Sequence, residues 1–232
     1  MKNSERFLSA FNLIEKHISR KRETSEYVPF KKAIEKAVPG DPIIRRYQYD
    51  LLEFADLRNA IVHERTDPNF VIAEPHDSTV LKIERIQNEL INPKLVLPAF
   101  GSEVIIFQTN NSLTDMLKMI REKAFSQFPI YNRDNFVGLI SENGITNWLA
   151  KHVEEDVFSL METSLESILD CEENKDNFHF ISRNTTVIEA EEIFKDFFAN
   201  GSKIDALLIT HNGKSTESLL GIITTWDIIN GQ

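Results

Sequence analysis

Two sets of residues in this 232-residue chain have types and spacings suited to chemistry. The first is Thr224 and Asp227, directly after the apolar run Leu219-Leu-Gly-Ile-Ile223. A threonine at a helix N-terminus offers its hydroxyl and nearby backbone N–H groups to a phosphate. An aspartate three residues on can accept from both hydroxyls of a ribose. Gly221, inside an apolar strand, lets another backbone or a ligand ring come close. The same Thr-x-x-Asp spacing also makes a helix capping box, with the acid at the third helical position. The second set is Arg58, Asn59 and His63, within Asp56-Leu-Arg-Asn-Ala-Ile-Val-His-Glu64. Asn59 and His63 lie about 40° apart on a helix and share a face, whereas Arg58 lies about 140° from His63. One straight helix does not easily converge the arginine and the histidine on one atom, but a two-fold dimer that joins two such helices can. In the plainer alternative, His63 closes its helix as a cation that suits the dipole. Arg58 then pairs with Glu53, Asp56 or a partner chain.

The elements that carry these residues differ between the two ends of the chain. Residues 1–94 read as a helical bundle. Phe7, Phe11, Leu13, Ile14 and Ile18 recur at helical spacing after Asn3 or Ser4 as cap, and Arg20-Lys21-Arg22 closes that helix. A second helix runs from Val28 to Lys36 and stops at Pro39-Gly40. A third starts at Asp41-Pro42, carries Arg45-Arg-Tyr-Gln-Tyr49 and the Arg58–His63 motif, and ends before Pro68. A fourth follows Asp77-Ser78. Four helices with short connections make a small bundle.

From Ile91-Asn92-Pro93 onward the character changes. Val104–Phe107 predicts a strand, the segment from Asn110 a helix, and Gln127–Tyr131 and Phe136–Ile140 two strands around a turn. Ser141–Lys151 predicts a further helix. The same order then recurs: strand Phe178–Ile181, helix Glu189–Asn200, strands Ala206–Thr210 and Leu219–Ile223, and a helix from Thr224. Ser112 corresponds to Thr186, and Gly138 to Gly221. A linker helix joins the copies, and Asp170–Asn177 reads as a solvated loop. The expected fold class is therefore α+β. The expected domains are 1–94 and 95–232, with repeats at about 98–152 and 176–231 and a linker helix over 153–170.

Composition narrows the functions. With 41% hydrophobic and 27% charged residues the chain is an ordinary globular one. Its single cysteine, Cys171, excludes an intrachain disulfide framework and any multi-cysteine zinc site. His76 and His179 have no partners at metal-ligand spacing, so no metal is expected. No secretory leader and no 18-residue apolar run occur, so a cytoplasmic protein with no membrane partner is expected. The net charge of −10 argues against tight non-specific binding of nucleic acid. That charge is unevenly spread: residues 1–94 carry +1 and residues 95–232 carry −11. The acidity thus belongs to the repeats, and the first region stays free to meet RNA.

Phe128-Pro-Ile-Tyr131 with Phe136-Val-Gly-Leu-Ile-Ser141, and then Leu219-Leu-Gly-Ile-Ile-Thr-Thr-Trp-Asp227, resemble tandem CBS domains, a Bateman module. The resemblance covers roughly residues 98–231. It implies a regulatory, nucleotide-binding pair that takes an adenosyl ligand between its repeats and transmits occupancy to the attached domain. The candidate ligands are AMP, ADP, ATP, S-adenosylmethionine and cyclic di-AMP, and no cofactor is required. Thr224 then meets phosphate and Asp227 meets ribose, with Gly221 and the stretch Arg183-Asn184-Thr185 beside the same pocket. In the first copy Ser141 keeps the hydroxyl, but Gly144 replaces the ribose-binding acid, which favours one site over two. Trp148 and Trp226 are expected to pack on the helices after the strands.

The Arg58-Asn59-x-x-x-His63 pattern on a late helix resembles the HEPN superfamily, whose active members are ribonucleases. The resemblance implies catalysis without metal across a homodimer interface. His63 acts as base or acid at the ribose 2′-hydroxyl, Arg58 stabilises phosphorane charge and Asn59 orients the phosphate. Three functions stay open: a nucleotide sensor that controls the helical domain, a HEPN-type endoribonuclease gated by the CBS pair, and a degenerate structural dimerisation module.

Overall fold

The computed structural model describes residues 1–20, 28–63, 73–101, 104–154 and 159–230. The chain is α+β and divides into two compact units, Met1–Lys94 and Leu95–Gln232.

The first unit is all helical: α1 (Asn3–Arg20), α2 (Phe30–Ala37), α3 (Pro42–Arg46), α4 (Gln48–His63) and α5 (Asp77–Ile91). The stripe Phe7, Ala10, Phe11, Ile14 and Ile18 of α1 is buried, as are Val80, Ile83, Ile86 and Leu90 of α5. Phe7 meets Phe54 of α4 edge-on at 5.6 Å, and Phe11 meets Phe30 of α2 at 4.7 Å. Each fully buried side chain of this size contributes about 1.5–3 kcal/mol. Polar ties fix how α1 lies on α5: Arg6 reaches both carboxylate oxygens of Glu84 at 2.9 and 2.7 Å, and Asn3 donates to Asp77 at 2.7 Å. Asp41 caps α3 through the Ile43 and Ile44 nitrogens at 3.0 and 3.1 Å, as the Asp-Pro start predicts.

The continuous helix expected after Asp41-Pro42 is broken. At Tyr47 the backbone leaves helical geometry (φ −105°, ψ 14°), although no glycine or proline marks the place. A tertiary contact accompanies the break: the Tyr47 hydroxyl donates to Glu89 of α5 at 2.6 Å. Burial, followed by that carboxylate, pushes the phenol up to about 12. Lys21, Arg22, Glu64 and Pro68, which entered the predicted helix ends, lie outside the described residues.

The second unit holds two three-stranded sheets of one topology. Strand β1 (Phe107–Gln108) runs parallel to β2 (Gln127–Asn132), which pairs antiparallel with β3 (Asn135–Ser141). Strand β4 (Phe178–Ser182) runs parallel to β5 (Ala206–Thr210), which pairs antiparallel with β6 (Gly221–Ile223). Helices α7 (Leu113–Lys123) and α8 (Glu142–Lys151) serve the first sheet, and α10 (Val187–Ala199) and α11 (Thr225–Asn230) the second. Ser112 and Thr186 both cap their helices, Thr186 in a full capping box with Glu189. The expected strand over 104–107 contributes only Phe107 to the ladder. The expected linker helix is reduced to α9 (Leu165–Leu169) among the described residues. Phe136 stacks edge-on with Phe178 at 4.8 Å and with Phe180 at 5.1 Å, joining the sheets face to face.

The connecting segments are exchanged. The single turn α6 (Val96–Ala99), which precedes the first repeat, buries Val96 among Ile181, Ala190, Leu207 and Ile223 of the second. The Val96 nitrogen donates to the Thr185 carbonyl at 2.9 Å. The short helix α9 buries Leu165 and Ile168 among Phe107, Leu113, Phe128 and Ile140 of the first repeat. The register of the sheets aligns the copies. Ile130 pairs with Phe107 and Gly138, just as Ile209 pairs with Ile181 and Gly221.

Candidate functional site

Strand β6 ends at Ile223, and Thr224 begins the turn into α11. Thr224 and Asp227 close on each other. The Asp227 Oδ2 accepts from the Thr224 nitrogen and from its hydroxyl, both at 2.7 Å, and the Asp227 nitrogen donates weakly back at 3.4 Å. This is the capping geometry that the spacing permits. It engages one carboxylate oxygen. Oδ1 takes part in no hydrogen bond among the described residues, so the cap and a ligand contact are compatible.

Both side chains line a cleft of about 360 Å³. Ile222 and Trp226 stand beside them. From the first repeat come Val104 and Ile105, and the turn Lys123–Gln127 between α7 and β2. That turn is set by Ala124, which ends α7 in the left-handed region at φ 55° and swings Phe125 and Ser126 to the cleft. Both repeats thus give the cleft apolar or aromatic lining, Val104, Ile105 and Phe125 from the first and Ile222 and Trp226 from the second. Thr224, Asp227 and Lys123 add a hydroxyl-bearing, an acidic and a basic residue to that lining. The volume lies in the range of small-molecule sites.

Trp226 was expected to pack on its helix. Instead it is 69% exposed and lines the cleft, whereas Trp148 is buried in the first repeat as expected. Sequence reading also missed Lys123 and Phe125. The signal for them was the repeat register, which sets the turn before β2 opposite the end of β6.

Other predicted site residues lie elsewhere. Gly221 is buried under the backbone of Phe100, whose carbonyl oxygen a β-carbon would approach to 2.6 Å. Its close approach is to protein backbone, the first of the two uses foreseen for it. Arg183, Asn184 and Thr185 do not border the cleft. In the ladder Ile223 is level with Leu207 and His179, while Arg183 follows Ser182, which is level with Thr210. That antiparallel register sets the stretch about five residues from Thr224, roughly 16 Å along the strands. Thr185 instead receives the Val96 nitrogen.

Ser141 and Gly144, the counterparts of Thr224 and Asp227, are already engaged. Glu172 Oε1 accepts from the Ser141 nitrogen at 2.6 Å and Oε2 from its hydroxyl at 3.0 Å. A β-carbon on Gly144 would collide with Oε1. Asn177 donates to Asp205 at 3.1 Å and to the Leu139 carbonyl at 3.3 Å. The expected solvated loop over 170–177 is therefore partly interior: Cys171, Glu172 and Asn177 are all buried. Burial pushes the Glu172 carboxyl up, and Asp205 adds to this, while the Ser141 hydrogen bonds oppose it.

In the helical unit, α4 carries Arg58, Asn59 and the backbone of His63, and the His63 side chain lies outside the described residues. Arg58 donates to the Asn59 side chain at 3.3 Å. The two border a hollow of about 270 Å³ with Phe11, Glu15, Phe30 and Lys31. Lys31 is held by Asp56 at 2.6 Å. Among the described residues, no three His, Cys, Asp or Glu side chains group as metal ligands, and no helix is long and apolar enough to cross a membrane.

The repeated topology, the aligned glycines and the Thr-x-x-Asp end of the second copy define a class. The profile of the CBS domain matches residues 101–151 and 172–231, and the second unit is a tandem pair of CBS domains. Solved structures similar to the chain include the CBS domain of a bacterial CNNM/CorC family Mg2+ transporter in complex with ATP. That one is 19% identical over 60% of this chain and 86% of that one, with a TM-score of 0.41. A CBS domain pair in complex with 5′-methylthioadenosine and S-adenosyl-L-methionine is 15% identical over 60% and 94%, at 0.41. An uncharacterized conserved protein from Pyrococcus horikoshii is 15% identical over 60% and 91%, at 0.42. No curated protein matches the chain.

Proposed function

We propose that the chain is a nucleotide sensor whose second CBS repeat binds an adenosyl ligand. The observation that carries this is the placement of Thr224 and Asp227 on an open cleft with apolar walls supplied by the first repeat. In the proposed complex the Thr224 hydroxyl turns from Asp227 Oδ2 to the phosphates beside Lys123, and Asp227 Oδ1 takes a ribose hydroxyl. Trp226, Phe125, Val104 and Ile105 enclose the base. A hydrogen bond to a charged group contributes about 1.5–3 kcal/mol, so Asp227→Ala weakens binding by roughly 10–100-fold. Calorimetry with AMP, ADP, ATP, S-adenosylmethionine and cyclic di-AMP tests the reading. Heat with at least one ligand, lost in Asp227→Ala, supports it; no heat and no thermal shift with any of them overturns it. Occupancy of this site regulates the helical unit. Ligand-dependent hydrogen exchange in residues 1–94 is the expected sign.

A second reading concerns the helical unit. The contact of Arg58 with Asn59 draws the arginine toward the residue that shares a face with His63. This favours a HEPN-type ribonuclease site completed in a homodimer. RNA cleavage lost in His63→Ala supports it. RNA left equally intact by both proteins, or a monomeric mass by light scattering, counts against it.

A further inference from the structure

We propose that the first CBS repeat closes its own site: the Glu172 carboxylate takes the place that Asp227 holds in the second repeat, but with both oxygens engaged and buried, and the pair therefore has one open site. This rests on the nucleotide-site reading of the second repeat. Sheet register makes Ser141 the counterpart of Thr224 and Gly144 that of Asp227. At Thr224 the backbone nitrogen and hydroxyl are both taken by the acid three residues on. At Ser141 the same two groups are taken by an acid 31 residues on. The carboxylate has moved along the sequence but does the same work on the same two groups. Gly144 is the other half of the exchange. Any side chain there would collide with Glu172 Oε1, so the missing acid at 144 and the arriving acid at 172 require each other.

The surroundings close the site further. Asp205 is the counterpart of Ser126, which lines the open cleft of the second repeat. Asn177 spans Asp205 and Glu172, contacting Glu172 at 3.4 Å, and Lys203 pairs with Asp205 at 3.0 Å. The donors of Asn177 and Lys203 are thus spent on these two carboxylates and are not offered to a further anion. Glu172 is only 7% exposed, so its displacement by a nucleotide would strand the Ser141 hydroxyl or the acid itself.

The closing experiment is a double-variant cycle on the full chain, read by thermal unfolding, which needs no ligand. Gly144→Ala lowers the midpoint by several degrees in the wild-type background. In the Glu172→Ala background it lowers it little or raises it, because the collision is gone and alanine favours a helix. If Gly144→Ala alone yields no folded protein, recovery of fold in Gly144→Ala/Glu172→Ala is the same result. Equal losses in both backgrounds, or an unfolded double variant beside a folded Glu172→Ala, overturn the proposal. Calorimetric stoichiometry with AMP and ATP adds the second arm. The expectation is one equivalent per chain for wild type and none for Asp227→Ala. An equivalent that survives in Asp227→Ala and vanishes in Ser141→Ala overturns the proposal. Absence of binding by wild type, with the cycle intact, removes the nucleotide reading and leaves Glu172 as the internal carboxylate of the first repeat.

Discussion

The Cα of Gly221 lies beneath the carbonyl oxygen of Phe100, so close that a β-carbon would stand 2.6 Å from it. A β-carbon on its counterpart Gly138 would instead stand 2.9 Å from the Leu169 side chain. A peptide carbonyl pinned in an exchanged segment cannot retreat, whereas a leucine can change rotamer. Gly221→Ala is therefore expected to destabilise the second unit by about 1–3 kcal/mol and Gly138→Ala by less. Urea denaturation of the two variants measures the difference; equal losses would show that the Leu169 side is as rigid as the Phe100 side.

Trp226 gives a way to separate binding from folding. It is largely exposed, so replacing it should change stability by no more than about 0.5 kcal/mol. If it covers a purine, stacking of about 1–3 kcal/mol is lost with it. Trp226→Ala is then expected to weaken adenosyl binding roughly 5–100-fold with an unchanged unfolding midpoint, and Trp226→Phe to retain most of the affinity. Titration calorimetry beside thermal unfolding checks both halves.

Tyr47 predicts a response to alkali. Its phenol is pushed up to about 12 by burial first and by Glu89 second. The folded state therefore holds this proton more tightly than the unfolded state. Stability from Tyr47 is complete below the ordinary phenol value near 10 and is lost as pH rises from there through about 12. In Tyr47→Phe the alkaline loss should be shallower, and the hydrogen bond to the Glu89 carboxylate, worth about 1.5–3 kcal/mol, should be missing at neutral pH. Glu89→Gln should bring the phenol only part of the way back, since burial remains. Denaturation at several pH values, with phenolate absorbance as the titration signal, measures these shifts.

Much of the second unit was legible because its cues are local and occur twice. Ser112 and Thr186 announce their helices by cap chemistry, and both cap as expected. Gly138 and Gly221 fix the alignment of the copies through strand patterns that a short window can show. The Thr224–Asp227 pair was legible for the same reason, down to its double use as cap and candidate ligand group. The departures depend on contacts distant in sequence. Nothing between Asp41 and Asp50 marks the break at Tyr47, whose hydroxyl partner Glu89 lies 42 residues away. Nothing in the acidic, asparagine-rich stretch around Glu172 marks it as interior, because its partners are a serine and a glycine 31 and 28 residues earlier. The place of Arg183 beside Thr224 rests on the resemblance alone. The register places the C-terminal ends of β4 and β6 at opposite ends of the sheet along the strands.

The exchange of connecting segments bears on how the pair comes into being. Neither repeat can finish its interior from one contiguous stretch of chain. During synthesis the first repeat must wait until Leu165 and Ile168 leave the ribosome. Val96 emerges early but stays without its partners until Thr185 and the strands beyond it exist. Closing that span of about 90 residues costs chain entropy, which only the finished pair offsets. An isolated repeat, expressed alone from 101–151 or 172–231, would display the bare apolar seat of its missing segment and be prone to aggregate. The exchange thus couples the folding of each copy to that of the other.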